Sequence, residues 1–84
     1  MGKTNAFVLY STSACHLCDQ AEAIISSAFL DGSSHFKKVD ITDSESLYER
    51  YGWHIPVLWS VATEQELFWP FDELAVKQFA GCLD

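Results

Sequence analysis

The residues best able to do chemistry in this chain are two cysteines separated by two residues, Cys15-His16-Leu17-Cys18. Thiol–disulfide exchange needs one reactive thiolate and a second thiol to resolve the mixed disulfide, and this spacing supplies both. Cys15 falls in or just before the first turn of a predicted helix, where free N–H groups and the positive end of the helix dipole favour a thiolate. Cys18 comes round to the same side of that helix, within reach of a disulfide. His16, when protonated, further favours the Cys15 anion. We therefore assign Cys15 as nucleophile, Cys18 as resolving thiol and His16 as a residue that tunes the Cys15 pKa. The same pair can also be half of a zinc site, completed by Cys82 or by His16, His35 or His54, or two inert core cysteines. A full zinc signature carries a second closely spaced ligand pair, which this sequence lacks, so no metal ligand is assigned.

Pro56 is the second informative residue. In Ile55-Pro56-Val57 it opens a predicted strand, a position where a missing N–H costs no ladder bond. A cis peptide here would turn the backbone groups of Ile55 toward an extended substrate, so Ile55 and Pro56 are candidate substrate-binding residues.

The elements that must position these residues are legible in turn. Ala6-Phe7-Val8-Leu9-Tyr10 reads as a strand buried on both faces. Ser11-Thr12-Ser13 offers hydroxyls to cap the helix that follows, and Leu17, Ala21, Ile24, Ile25 and Ala28 give it one apolar face. Asp31-Gly32-Ser33-Ser34 ends it. Phe36, Val39 and Ile41 mark a second strand. Thr42-Asp43-Ser44-Glu45 matches a capping box for a short second helix, which Gly52 closes as a left-handed residue. Strands at 56–61 and 65–69 form a hairpin around Ala62-Thr63-Glu64. Asp72 caps a last helix over 73–80, with Phe71 and Val76 as a hydrophobic staple, and Gly81 ends it. The order β-α-β-α-β-β-α predicts an α/β fold: a mixed four-stranded sheet, first two strands parallel, with flanking helices in a single domain spanning 1–84.

Composition narrows the function classes. The 84 residues carry 12 Asp/Glu against 5 Lys/Arg, a formal charge of −7, with 49% apolar residues. That balance is globular and argues against nucleic-acid binding, which needs a basic stripe. Lys37-Lys38 is the only basic pair and reads as a solvated strand face. No apolar run approaches the roughly 20 residues that span a bilayer, and none matches a secretory signal or a myristoylation site. Three cysteines are too few for a disulfide framework. The expectation is a soluble cytoplasmic monomer without membrane or nucleic-acid partners. Trp53, Trp59 and Trp69 are expected mainly in the core, and Cys82 as a small apolar side chain near a helix end.

Tyr10-Ser11 leading into Cys15-His16-Leu17-Cys18, then Ile55-Pro56-Val57, a hairpin and a capped last helix, resembles the glutaredoxin branch of the thioredoxin fold. The resemblance runs from Ala6 to about Ala80 and is similar, more narrowly, to small bacterial glutaredoxin-like proteins. It implies a thioredoxin-like fold, a cis Pro56 lying against Cys15, and attack by Cys15 on a substrate disulfide. The chain departs from typical glutaredoxins at several positions. His16-Leu17 replaces Pro-Tyr, Thr12 stands where a lysine is usual, and His54 where threonine is common. Trp69-Pro70-Phe71 replaces the Gly-Gly pair beside the last helix, although Asp72 remains. Most elements that hold a glutathione carboxylate are thus missing, and no cofactor is assigned, with glutathione retained as a possible reductant. The reading is a thiol–disulfide oxidoreductase acting on protein or small-molecule disulfides, reduced by glutathione or a thioredoxin-type donor. Its alternatives are a non-catalytic thioredoxin-fold binding module, and metal or iron–sulfur binding through Cys15.

Overall fold

The computed structural model describes residues 5–30, 32 and 34–81. The early apolar run forms β1 (Asn5–Ser11). Helix α1 (His16–Ala28), β2 (Ser34–Asp40) and one 3-10 turn (Ile41–Asp43) follow. Then come α2 (Glu45–Tyr51), β3 (Val57–Ser60), β4 (Glu66–Phe68) and α3 (Glu73–Phe79). The strands lie in the order β2-β1-β3-β4. β1 runs parallel to β2 and antiparallel to β3, and β3 pairs antiparallel with β4. This is the expected mixed four-stranded sheet in the expected chain order.

The two faces of the sheet are unequal. Phe7, Leu9 and Leu58 join Ala21, Ile25 and Ala28 of α1 and Val76 of α3 in one buried cluster, closed by Phe29, Phe71 and Ala80. A smaller cluster of Ile41, Tyr51 and Val57, with Tyr10, Leu47 and Ile55 against it, fills the α2 side. β1 is accordingly buried at Phe7, Leu9 and Ser11 but only half-buried at Ala6, Val8 and Tyr10, not evenly on both faces as expected. A seven-residue helix cannot cover what two helices cover opposite. Ser27 Oγ donates to Glu73 Oε1 at 2.6 Å and ties α1 to α3.

Capping follows the sequence at α3 and departs from it at α2. Asp72 Oδ1 accepts the Ala75 N–H at 2.8 Å, Phe71 and Val76 are both in the core, and Gly81 takes a left-handed φ of 75°. At α2 the cap is Ser44, whose Oγ accepts from Leu47 N, not Thr42. Thr42 and Ile41 belong instead to the 3-10 turn, which Asp40 caps by accepting from Thr42 N at 2.9 Å. Gly52 is not left-handed either: φ is −54° and ψ −30°. Its glycine is explained by crowding, because a Cβ there would lie 2.6 Å from the Tyr48 carbonyl oxygen. α1 ends at Ala28, and Gly32 beyond it is left-handed at φ 78°; Asp31 and Ser33 lie outside the described residues.

The tryptophans divide. Trp69 packs half-buried against the main core and Trp59 is half-buried, but Trp53 is 96% exposed, contrary to its expected core role. Tyr51, by contrast, is buried, stacks on Tyr10 at 4.7 Å and donates its hydroxyl to Glu66, which also pairs with Arg50 at 3.2 Å. Burial, then the bond to Glu66 and its charge, pushes the Tyr51 phenol up to about 12, so it stays a neutral donor at physiological pH. Lys37 and Lys38 are exposed on the edge strand β2. Among the described residues no helix is long and apolar enough to cross a membrane. Cys82 lies outside the described residues.

Candidate active site

The chain leaves β1 at Ser11 and turns through Ala14, whose φ of 58° is left-handed. A non-glycine residue held there is strained by about 1–2 kcal/mol, and such strain concentrates at functional turns. The turn delivers Cys15 in extended conformation to the N-cap of α1. Its own Sγ accepts the Cys18 N–H at 3.1 Å, so the cap is the cysteine and not the Ser11–Ser13 hydroxyls expected to serve. Cys15 and Cys18 are joined as a disulfide, with Cα atoms 5.1 Å apart. An N–H in that position and the helix dipole both favour an anion on the sulfur of a reduced Cys15.

The two sulfurs differ in access. Cys18 is 4% exposed and belongs to the buried face of α1, with Ala21, Ile25 and Ala28, while Cys15 is half-buried. Leu17, expected on that apolar face, is instead 44% exposed. Cys18 takes the inward place, and periodicity alone could not rank one of these neighbours above the other. His16 is exposed at the first helical position, its ring Nε2 within 3.1 Å of the Gln20 side-chain amide.

Pro56 is fully buried, and the Ile55–Pro56 and Trp69–Pro70 peptide bonds are cis. Val57 pairs with Tyr10, which places Ile55-Pro56 at the same end of the sheet as the loop leading from Ser11 to Cys15. Ile55 donates its N–H to the Tyr51 carbonyl at 3.1 Å, so that group, expected to be offered to substrate, is already used within the turn.

Asp40 is a functional-site neighbour the sequence reading passed over. It sits opposite Ser11 in the β1–β2 register. Bonds from the Thr42 hydroxyl and N–H, with smaller ones from Thr12 and Ser13, hold its carboxyl below its ordinary value. A cavity of about 340 Å³ beside this loop is lined by Ser11, Thr12, Ser13, Lys38, Asp40 and Asp43. A second, about 410 Å³, is lined by Pro70, Phe71, Asp72 and Ala75, none of them basic. No group of three or more His, Cys, Asp or Glu gathers into a possible metal site among the described residues. His35 is exposed on β2, and His54 packs edge-on against Phe68 at 5.7 Å.

A mixed sheet in this order, with a two-cysteine disulfide at the start of the first helix, defines a thioredoxin-like protein. The chain belongs to the family of the glutaredoxin-like domain (DUF836), whose model matches residues 6–79. It is similar to protein XcR50 from X. campestris, known from an X-ray structure. The two share 34% identity at a TM-score of 0.79, covering 90% of this chain and 96% of that one. The solution structure of XcR50 agrees, at 35% identity, a TM-score of 0.77, and 92% and 94% coverage. Protein Ne2328 from Nitrosomonas europaea shares the fold at 23% identity and a TM-score of 0.78, covering 92% of each chain. None of the curated proteins matches the chain.

Proposed function

We propose that this protein is a thiol–disulfide oxidoreductase of glutaredoxin type that cycles between the Cys15–Cys18 disulfide and the dithiol. The observation that carries this reading is the disulfide at the cap of α1, with Cys15 half-buried and Cys18 buried. In the reducing direction the Cys15 thiolate attacks one sulfur of a substrate disulfide. A Cys15–substrate S–S bond forms, the substrate bond breaks, and the leaving thiolate takes a proton. The Cys18 thiolate then attacks Cys15 sulfur, closes the internal disulfide and releases the second substrate thiol. Two electrons have passed to the substrate, and glutathione or a thioredoxin-type dithiol donor returns them.

His16 promotes the Cys15 anion in this scheme. Pro56 forms the neighbouring wall and the Ile55 carbonyl accepts from substrate backbone. The protein works as a monomer on protein or small-molecule disulfides in a reducing compartment such as the cytoplasm. Trapping tests the order of events. In Cys18→Ser, unable to resolve, a covalent adduct of substrate with Cys15 is expected to accumulate and to be visible in the intact mass. An adduct on Cys18 in Cys15→Ser, with none on Cys15 in Cys18→Ser, would reverse the assignment.

A further inference from the structure

We propose that the substrates of this site are disulfides carried by basic polypeptides, with lysine and arginine side chains of the substrate facing Asp19, Asp40 and Asp43 around the Cys15–Cys18 disulfide. The inference rests on the thiol–disulfide reading above and adds to it the class of substrate.

Around the disulfide, carboxylates outnumber lysine and arginine side chains. Asp19 is exposed one turn along α1, its N–H bonded to the Cys15 carbonyl at 3.1 Å. Asp40 and Asp43, together with Lys38, line the cavity built on the three residues that lead out of β1 toward Cys15. Among the described residues none of these three carboxylates is in an ion pair. Three cations, Lys38 of that cavity included, are already paired with glutamates. Lys38 pairs with Glu22 at 3.0 Å, Arg50 with Glu66 at 3.2 Å and Lys77 with Glu73 at 3.6 Å. Lys37 pairs in register with Val8, well back from the Ser11 end of the strand where the loop to Cys15 begins. Glutathione, with two carboxylates, therefore finds no lysine or arginine in that cavity without an acidic partner. The cavity at the start of α3 offers it only Asp72, whose carboxylate already caps that helix.

The uncharged surface fits a polypeptide. Leu17, between the cysteines, is 44% exposed, and Trp53, in the turn before Ile55-Pro56, is 96% exposed. An exposed leucine gives an apolar side chain somewhere to rest, and an indole face accepts a lysine or arginine cation. The whole-chain charge of −7 adds long-range attraction for a basic partner. Such steering raises association rates by about 10-fold or more and is screened by salt.

Single-turnover oxidation of the pre-reduced protein tests this. The oxidants are a lysine-rich peptide with an internal disulfide, the same peptide with glutamate for lysine, oxidised glutathione and neutral bis(2-hydroxyethyl) disulfide. At about 20 mM salt the basic peptide is expected to react at least about tenfold faster than the acidic one, and the gap to close to about twofold in 0.5 M salt. Asp43→Asn is expected to slow only the basic peptide, by about two- to threefold, and to leave the neutral disulfide unchanged. Equal rates for the two peptides, or a preference for the acidic peptide or oxidised glutathione, would overturn the substrate class while leaving the redox reading intact. Failure of every oxidant, the neutral one included, would overturn both.

Discussion

Replacing Cys15 by serine is expected to bring disulfide exchange down to the uncatalysed rate with the fold intact. The two halves of that expectation have separate causes. A serine hydroxyl is not ionised near neutral pH, so the thiolate that must attack the substrate sulfur no longer exists. The structural role of Cys15 survives the change. Its sulfur caps α1 by accepting the Cys18 N–H, and serine is a preferred N-cap residue that accepts the same bond with oxygen. Compared with the reduced parent, which also lacks the disulfide, the variant should therefore keep its circular dichroism spectrum and its stability to within about 1 kcal/mol, the scale of a cap contribution. Measured exchange with a small disulfide should be indistinguishable from buffer. Retained activity in a folded Cys15→Ser would exclude Cys15 as the nucleophile.

Truncating Leu9 to alanine should instead remove the fold. Leu9 is 0% exposed in the centre of β1, between β2 and β3, and belongs to the main cluster with α1 and α3. Loss of a buried leucine side chain costs about 2–5 kcal/mol, the spread reflecting how far the site can collapse. A domain this small has a total stability of only about 3–5 kcal/mol from its single core. Leu9→Ala is thus expected to be largely unfolded at 37 °C. Leu74→Ala, at a 54% exposed position of α3, should unfold with the parent chain. Urea unfolding followed by far-UV circular dichroism compares the three. A Leu9→Ala midpoint matching the parent would mean that the core is not organised around β1.

Much of this fold was legible because hydrophobic period and cap chemistry agree in the sequence. At α3, Asp72, Phe71, Val76 and Gly81 each point to the same helix, and each holds its expected place. At α2 two caps compete within four residues, and Asp40 decides between them. By drawing Thr42 into a 3-10 turn it leaves the helix to Ser44. That choice depends on a residue at the end of β2 and not on the capping-box pattern. Gly52 shows the same limit, since a glycine required by a nearby carbonyl looks like one required by a positive φ.

The candidate site divides along similar lines. The spacing of Cys15 and Cys18 and their place at a strand-to-helix junction are local properties, and the disulfide forms there. Which side chain of Leu17 and Cys18 turns inward is set by how α1 lies on the sheet. The exposure of Trp53, in the turn after α2, was not legible either, since apolar character alone argues for burial. Asp40 carries no motif of its own and enters the site only through the parallel pairing that brings it opposite Ser11.

The central claim is that Cys15 and Cys18 form a reversible two-electron couple. Its most direct test is a redox titration in glutathione and dithiothreitol buffers, trapping thiols by alkylation and reading the mass of each cysteine peptide. Both cysteines should convert together along one two-electron curve, with a midpoint between about −270 and −120 mV, the range of known oxidoreductases. Cysteines that stay reduced in the most oxidising buffer, or that oxidise independently of one another, would contradict it.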